Sequence, residues 1–341
     1  MIIDRIAAGG MHSMLLSTDH QLWAMGNGSY GQLCDGGTSA RRMPVRTLDG
    51  VREVALGGKH SLILKTDGSL WACGSNEFGQ LGHGDTGDVS TPVHVIDEVT
   101  AIAAGSAHSL ALKSDGSLWS FGRNTFGQLG VGDDAPHDTP VKMMDGVRAI
   151  AAGEGHSLIL KADGSLWACG HNRNSQLGDD STRNRHEPIR MLDAVQAIAA
   201  GNGHSMMLKT DGSLWMVGFD GGGQLGDGGN VNRRTPFPLR RGIRAISAGG
   251  FHSLMLDDTG TLWACGDNSS GQLGNGDTSV VRTPQAVASE VAAIAAGGYH
   301  SLLLKTDGSL WVAGSNGSGQ IGLGAGKQGT TRFQELVLPQ M

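Results

Sequence analysis

Long apolar runs, aromatic side chains, cysteines and excess positive charge are all scarce in this chain, and each scarcity removes a class of protein. No stretch approaches the roughly 18 consecutive apolar residues of a membrane-spanning helix. The opening residues MIIDRIAAGG lack the basic segment, apolar core and cleavage site of a secretory signal. Lysine and arginine number 26 against 32 aspartates and glutamates, and the net charge of −6 disfavours non-specific nucleic-acid binding by phosphate neutralisation. The four cysteines are Cys34, Cys73, Cys169 and Cys265, the last three each within the sequence WACG. A rotationally symmetric array holds such equivalent positions apart, so reduced thiols in an intracellular protein are expected rather than a disulfide framework. A soluble, cytoplasmic protein follows as the expectation.

Glycine, by contrast, is abundant at 56 residues, and it recurs at fixed places, which argues for tight turns rather than low-complexity disorder. The stretch His60 to Gly82, HSLILKTDGSLWACGSNEFGQLG, returns throughout the chain. A His-Ser pair begins at His12, His60, His108, His156, His204, His252 and His300, each 48 residues after the last. The seven tryptophans keep the same step, at Trp23, Trp71, Trp119, Trp167, Trp215, Trp263 and Trp311. Seven 48-residue units fill all but five of the 341 residues, so one domain spanning 1–341 is expected. A unit this short cannot bury a core alone and must stack on its neighbours.

Within a unit the segments are short and β-like: VREVAL, HSLILK, SLWACG and PVHVID, separated by Gly, Asp and Asn. Asp67-Gly68 between two apolar runs supplies the positive φ angles of a type I′ hairpin, which makes HSL and SLW antiparallel neighbours. Asp49-Gly50 and Asp145-Gly146 give the same signature between the PV and VxxIA segments. The expected blade therefore runs PVxxL, VxxIAAG, HSLxL, SLWxxG, with the GQLG loop crossing to the next blade. The fold class is all-β, a seven-bladed β-propeller of four-stranded antiparallel blades. Since this order leaves the first unit short of its PV strand, the C-terminal strand Phe333 to Leu338 is expected to join the N-terminal blade and close the ring.

The unit AAGxxHSLxLKxDGSLWxxGxNxxGQLG resembles the repeat of the regulator of chromosome condensation family, over essentially the whole chain. Departures are local: Asp19-His20, Cys34, Ser175, Thr259-Gly260 and Ile321. The resemblance implies a seven-bladed propeller. It implies no single function, because the family includes exchange factors for the small GTPase Ran, photoreceptors, ubiquitin-ligase modules and enzyme inhibitors. The Ran exchange factor acts through an insertion for which the strict spacing leaves no room. The plant ultraviolet-B photoreceptor uses extra clustered tryptophans, and here every tryptophan belongs to the repeat.

Motifs that tempt a chemical reading have simpler accounts. Equivalent histidines on neighbouring blades stand about 10 Å apart, too far for shared metal ligation at about 2 Å. The seven histidines and seven tryptophans are read as structural. Glycine fingerprints at Gly26 to Gly31, Gly221 to Gly226 and Gly317 to Gly322 open no helix, and Gly322 to Lys327 lacks the spacing of a phosphate loop. Loop aspartates (Asp85, Asp88, Asp133, Asp134, Asp138, Asp179, Asp180) match no calcium-ligand spacing and suit Asx-turns. No metal, no cofactor, no catalytic residue and no enzymatic activity are expected.

In antiparallel blades the GxxH turn and the loop after SLWxxG share one face of the disc, and both Asp-Gly turns share the other. Aromatic residues outside the repeat core crowd the first face: Tyr30, Phe78, Phe126, Phe219, Phe251 and Tyr299, joined by Met11, Lys59, Glu77 and Arg173. These ten residues form the candidate protein-binding surface. Arg173, Arg183, Arg185, Arg233 and Arg234 add a basic sector that would suit a partner with an acidic rim. The expected function is non-enzymatic protein binding, with no nucleic acid and no membrane. The alternatives are nucleotide exchange on a small GTPase, by family analogy, and an amplified or engineered repeat scaffold without a dedicated partner.

Overall fold

A computed structural model describes residues 2–338, and its strands fall into seven four-stranded antiparallel sheets arranged in a ring. Blade one comprises β1 Ile3–Ala8, β2 His12–Ser17, β3 Leu22–Gly26 and β4 Arg41–Leu48, hydrogen-bonded in that order. The other six repeat this order. The equivalents of β1 line the axis, where Ala8, Leu56, Ala104, Ala152, Ala200, Ala248 and Ala296 face a central cavity, and the equivalents of β4 form the rim. The two middle strands are buried from end to end in blade one and nearly so in the others, where the last residue of the second strand and the repeat tryptophan are partly exposed, and their leucines, methionines and isoleucines fill the spaces between adjacent sheets.

The Asp-Gly-Ser-Leu-Trp motif builds the hairpin between the second and third strands. Asp67 Oδ1 accepts from both the backbone N–H and the hydroxyl of Ser69, and Trp71 Nε1 donates to Ser69 Oγ. The other Asp-Gly pair is not a hairpin, which corrects the strand order expected from the sequence. Val45 of the PV segment pairs with Ala24 of β3, so the GQLG loop returns the chain to its own blade. Asp49-Gly50 then carries the chain from the rim strand to the axial strand of blade two. The corner is pinned from both sides: Val51 N–H donates to His20 O of blade one at 3.1 Å, and Thr66 N–H of blade two donates to Gly50 O at 3.0 Å. Gly50 adopts φ +69°, the left-handed geometry such a corner requires.

The expected ring closure is corrected for the same reason. The last strand, Gly329–Glu335, pairs with Leu310–Ser315 of its own blade, through Val312↔Gln334 and Trp311↔Glu335. Blade one already has four strands and no free place for it. What crosses to blade one is packing, with Leu336 buried against Ile3, Leu15, Trp23 and Met25. Closure itself uses the bonds that join every other pair of blades. Gly10 N–H donates to Gly57 O at 3.0 Å, Gly250 N–H to Gly297 O at 3.0 Å, and Gly298 N–H to Gly9 O at 3.0 Å, so the last of these shuts the circle.

A third correction concerns the cysteines. Cys34 and Cys73 form a disulfide, with Cα atoms 5.8 Å apart, linking the loop of blade one to the third strand of blade two. The WACG cysteines do lie apart from one another. Their neighbour is instead the final glycine of GQLG on the preceding blade, the position Cys34 occupies. A Cβ at Gly130 would lie 3.0 Å from Cys169 Sγ, and one at Gly226 would lie 3.0 Å from Cys265 Sγ. Cys169 and Cys265 are free and buried, and burial pushes the Cys169 thiol up to about 12. Gly130→Cys should accordingly form a second inter-blade bridge with Cys169 under oxidising conditions, since Cys34 already shows that a side chain is tolerated in this left-handed position. Thiol titration under denaturing conditions should then find one free cysteine rather than two; three free thiols would show that the columns do not meet.

Candidate interaction surface

The floor of the candidate face is a rigid ring built by the His-Ser pairs. Each histidine Nε2 reaches the serine of the next blade: His12 to Ser61 at 2.9 Å, His60 to Ser109 at 2.9 Å, His156 to Ser205 at 3.0 Å, and finally His300 to Ser13 at 2.8 Å. Each serine hydroxyl gives its single proton to the backbone carbonyl of the preceding blade's GQLG glutamine, as Ser61 does to Gln32 O at 2.7 Å. The hydroxyl must therefore accept from the imidazole, which fixes the neutral tautomer with its proton on Nε2. All seven rings are fully buried and their Nδ1 atoms have no partner among the described residues. Burial accordingly holds His12, His108, His156, His204, His252 and His300 at about 3 and His60 at about 4.

Above this ring the axial cavity has a volume of about 540 Å³, with Met11, Tyr30, Lys59, Glu77, Phe78 and Tyr299 among its lining residues. Six of the ten residues singled out by sequence thus converge on the axis. Tyr299 and Met11 are the most open apolar members, at 38% and 49% exposure. Lys59 Nζ donates to Tyr30 Oη at 3.0 Å and lies 4.5 Å from the ring centroid. Phe126, Phe219 and Phe251 stand outside the cavity but continue its rim. Phe219 meets Phe251 edge-on at 6.3 Å, and Phe251 meets Tyr299 at 6.0 Å. Arg173 is exposed.

Sequence reasoning missed two residues that join this surface. The Arg123 guanidinium lies 5.2 Å from the centroids of both Phe78 and Phe126, and the His171 ring lies 4.6 Å from Phe126. Both occupy the repeat column of Phe219, so divergence within that column was the available signal. The basic sector is weaker than expected, because Arg185 is paired with Asp179 and Arg233 with Asp227 at 2.6 Å, which leaves fewer cations to meet an acidic partner. Several of the loop aspartates serve ion pairs and local turns, as where Asp179 pairs with Arg185 and Asp85 Oδ1 accepts from Gly87 N–H.

Phe219 exacts a structural cost. In four other blades the buried GQLG glutamine donates its side-chain amide to the residue five positions earlier: Gln32 to Asn27 Oδ1 at 3.2 Å, Gln80 to Ser75 Oγ at 3.4 Å, Gln176 to His171 Nδ1 at 2.8 Å and Gln272 to Asp267 Oδ2 at 2.7 Å. Phe219 offers no acceptor, and Gln224 Nε2 is buried without a partner.

Seven four-stranded blades of 48 residues, clasped by a histidine–serine ring, define a seven-bladed propeller of tandem repeats. The chain belongs to the regulator of chromosome condensation repeat family: the RCC1-like domain model matches residues 136–340, and models of the repeat match residues 19–64 and 67–112 as well as 3–32, 51–80 and 99–128. Among solved structures it is similar to Prp20p from Saccharomyces cerevisiae, reported with its binding to Gsp1p and histones, at 26% identity and TM-score 0.84 over 95% of this chain and 87% of that one. Yeast RCC1 (Prp20) bound to Kap60 matches at 24% identity and TM-score 0.84, over 94% and 85% of the two chains. Human WBSCR16 matches at 23% identity and TM-score 0.83, over 94% of each chain. No curated protein matches the sequence.

Proposed function

We propose that this propeller is a non-enzymatic protein-binding module whose GxxH and GQLG face is the interaction surface. The observation that carries the reading is Phe219. A buried amide left without a partner costs about 1–3 kcal/mol, so the fold is better served by a polar residue there. An aromatic side chain kept at such a cost, and in contact with Phe251 and Tyr299, supports a role outside folding. The same holds more mildly for Tyr299 and Phe78, whose repeat counterparts include Ala107, Gly155 and Gly203, or Gly222 and Ser270.

A second reading, nucleotide exchange on a small GTPase, is favoured by the likeness to Prp20p, whose structure is reported together with Gsp1p binding. Mixing the protein with Ran-type GTPases carrying a fluorescent nucleotide separates the two: saturable binding without faster release supports the binder, and catalytic release supports exchange.

For a partner so identified, Tyr299→Ala and Phe78→Ala should each weaken binding by about 1–2 kcal/mol while leaving the melting temperature nearly unchanged. Phe219→Ser should weaken binding yet raise stability by about 1 kcal/mol, because a serine there can accept from Gln224 as Ser75 does from Gln80. Isothermal calorimetry on the three variants checks this; losses confined to substitutions on the Asp-Gly face would place the site on the other side of the disc.

A further inference from the structure

We propose that the carboxyl group of Asp220 carries a proton and donates it to Asp227, making the 219–232 loop of blade five a pH-dependent latch at one end of the interaction face. The corresponding residue is Asn76, Asn124, Asn172, Asn268 and Asn316 in five other blades and Gly28 in blade one. Each of these asparagines does two things. Its Oδ1 accepts from a backbone N–H five residues on, as from Leu81 at 2.9 Å and Leu177 at 3.0 Å. Its Nδ2 donates across the loop: Asn172 to Asp179 Oδ1 at 2.9 Å, Asn268 to Asn275 Oδ1 at 3.0 Å.

Asp220 keeps the first role, with Leu225 N–H donating to Oδ1 at 2.9 Å. For the second it has only an oxygen. Oδ2 is fully buried, no donor among the described residues reaches it, and the step from 220 to 227 is the step from 172 to 179. Asp227 is itself an acceptor on both oxygens: Gly229 N–H donates to Oδ1 at 2.8 Å and Arg233 Nε to Oδ2 at 2.7 Å. Two ionised carboxylates facing each other, one of them fully buried, repel, and a single proton on Asp220 restores the donor that asparagine supplies elsewhere.

The surrounding groups agree on where that proton sits. Burial, with the Asp227 charge, pushes Asp220 up to about 6, against the Leu225 N–H and Arg282. Despite its own burial, Asp227 is held below the usual carboxylate range by Gly229 N–H and Arg233. Blade six contributes Arg282, whose Nη1 donates to Gly229 O at 3.2 Å, the neutral thiol of Cys265, and Asp267 beside Gly222. A folded-state value raised above the ordinary one means that the latch stabilises fully below about pH 4 and is lost as pH rises through about 6. Phe219 begins this loop, so an open latch frees that end of the Phe219–Phe251–Tyr299 track; this last consequence rests on reading the face as a binding surface.

The test needs no partner. Asp220→Asn supplies the donor at every pH, so the variant should melt several degrees above the natural chain at pH 8, with the gap narrowing as pH is lowered through 6. Amide exchange in 219–232, corrected for intrinsic rates, should be at least about tenfold faster in the natural chain at pH 8, with the ratio falling as pH is lowered through 6. Asn172→Asp, placed opposite Asp179, should install the same behaviour in blade four. A gap that is absent or constant with pH would overturn the proposal, and so would calcium or magnesium chloride closing the gap at pH 8, since a cation would then hold the place given to the proton.

Discussion

Between about pH 6 and pH 4 the protein should unfold in one steep transition, driven by its histidines. Seven imidazoles are buried neutral in the clasp ring, six of them at about 3 and His60 at about 4, whereas in the unfolded chain they return to the ordinary 6.5. The unfolded state therefore binds more protons below pH 6.5, and stability present above that value is lost as pH falls towards the folded-state values. Each such group contributes a slope of about 1.4 kcal/mol per pH unit, so seven together approach about 10. A domain stable by about 5–15 kcal/mol exhausts that within one or two units. A proton arriving at Nδ1 finds no acceptor, and the fold cannot absorb it locally. Urea titrations at half-unit intervals measure the slope directly. His156→Ala should lower stability at pH 7.5 by about 1–3 kcal/mol through the lost clasp and flatten the acid slope by about 1.4 kcal/mol per unit. Stability that stays level from pH 6.5 to 5 would mean that the rings are not held neutral.

The opposite pH dependence of the blade-five latch is separable from this, because the comparison with Asp220→Asn cancels the histidines that both chains share. The two devices also sit on different levels of the structure. The histidine ring is common to all seven blades and sets the stability of the disc, whereas Asp220 is a departure confined to one loop and sets the state of one sector of its face.

Most of this architecture was legible in the sequence because the period is strict. The 48-residue step gave the blade number, the Asp-Gly-Ser turn gave the central hairpin, and strand alternation gave the two faces, so the clustering of Tyr30, Phe78, Phe251 and Tyr299 could be anticipated. The strand order was not legible. Asp49-Gly50 supplies the same left-handed glycine to a corner between blades as to a hairpin, and only the pairing of Val45 with Ala24 distinguishes them. The disulfide was hidden because aligning repeats compares equivalent columns, while adjacent blades bring unlike columns together, here the GQLG glycine and the WACG cysteine. Arg123, His171 and Asp220 were visible as departures from their columns. What each departure does depends on neighbours from the next blade or across the loop, which one repeat does not contain.

The axial glycines give the largest expected effect of a single methyl group. Gly201 has no unusual backbone angle, so its requirement is one of space. A Cβ there would run into His204 Cε1 and stand 2.5 Å from the carbonyl oxygen of Gly249 on the next blade. Neither neighbour can yield: His204 is held by Ser253 at 3.0 Å, and the Gly249 carbonyl belongs to the axial ring. Blades five and six must therefore separate, weakening the His204–Ser253 bond and the Asn202 N–H to Gly250 O bond together. Gly201→Ala should lower stability by about 3–6 kcal/mol, the sum expected for overpacking and a lost buried bond. Gly297→Ala should cost as much, since its Cβ meets His300 and lies 2.7 Å from Gly9 O, and the closure between blades seven and one is built like every other junction. Gly308→Ala is the contrast: φ is +85° but nothing lies within 4 Å, so only left-handed strain of about 1–2 kcal/mol remains. Chemical denaturation of the three variants decides the matter. A loss at Gly297 far smaller than at Gly201 would mean that the ring closes by some means other than the glycine and histidine bonds, and equal small losses at all three would mean that the blades can part without cost.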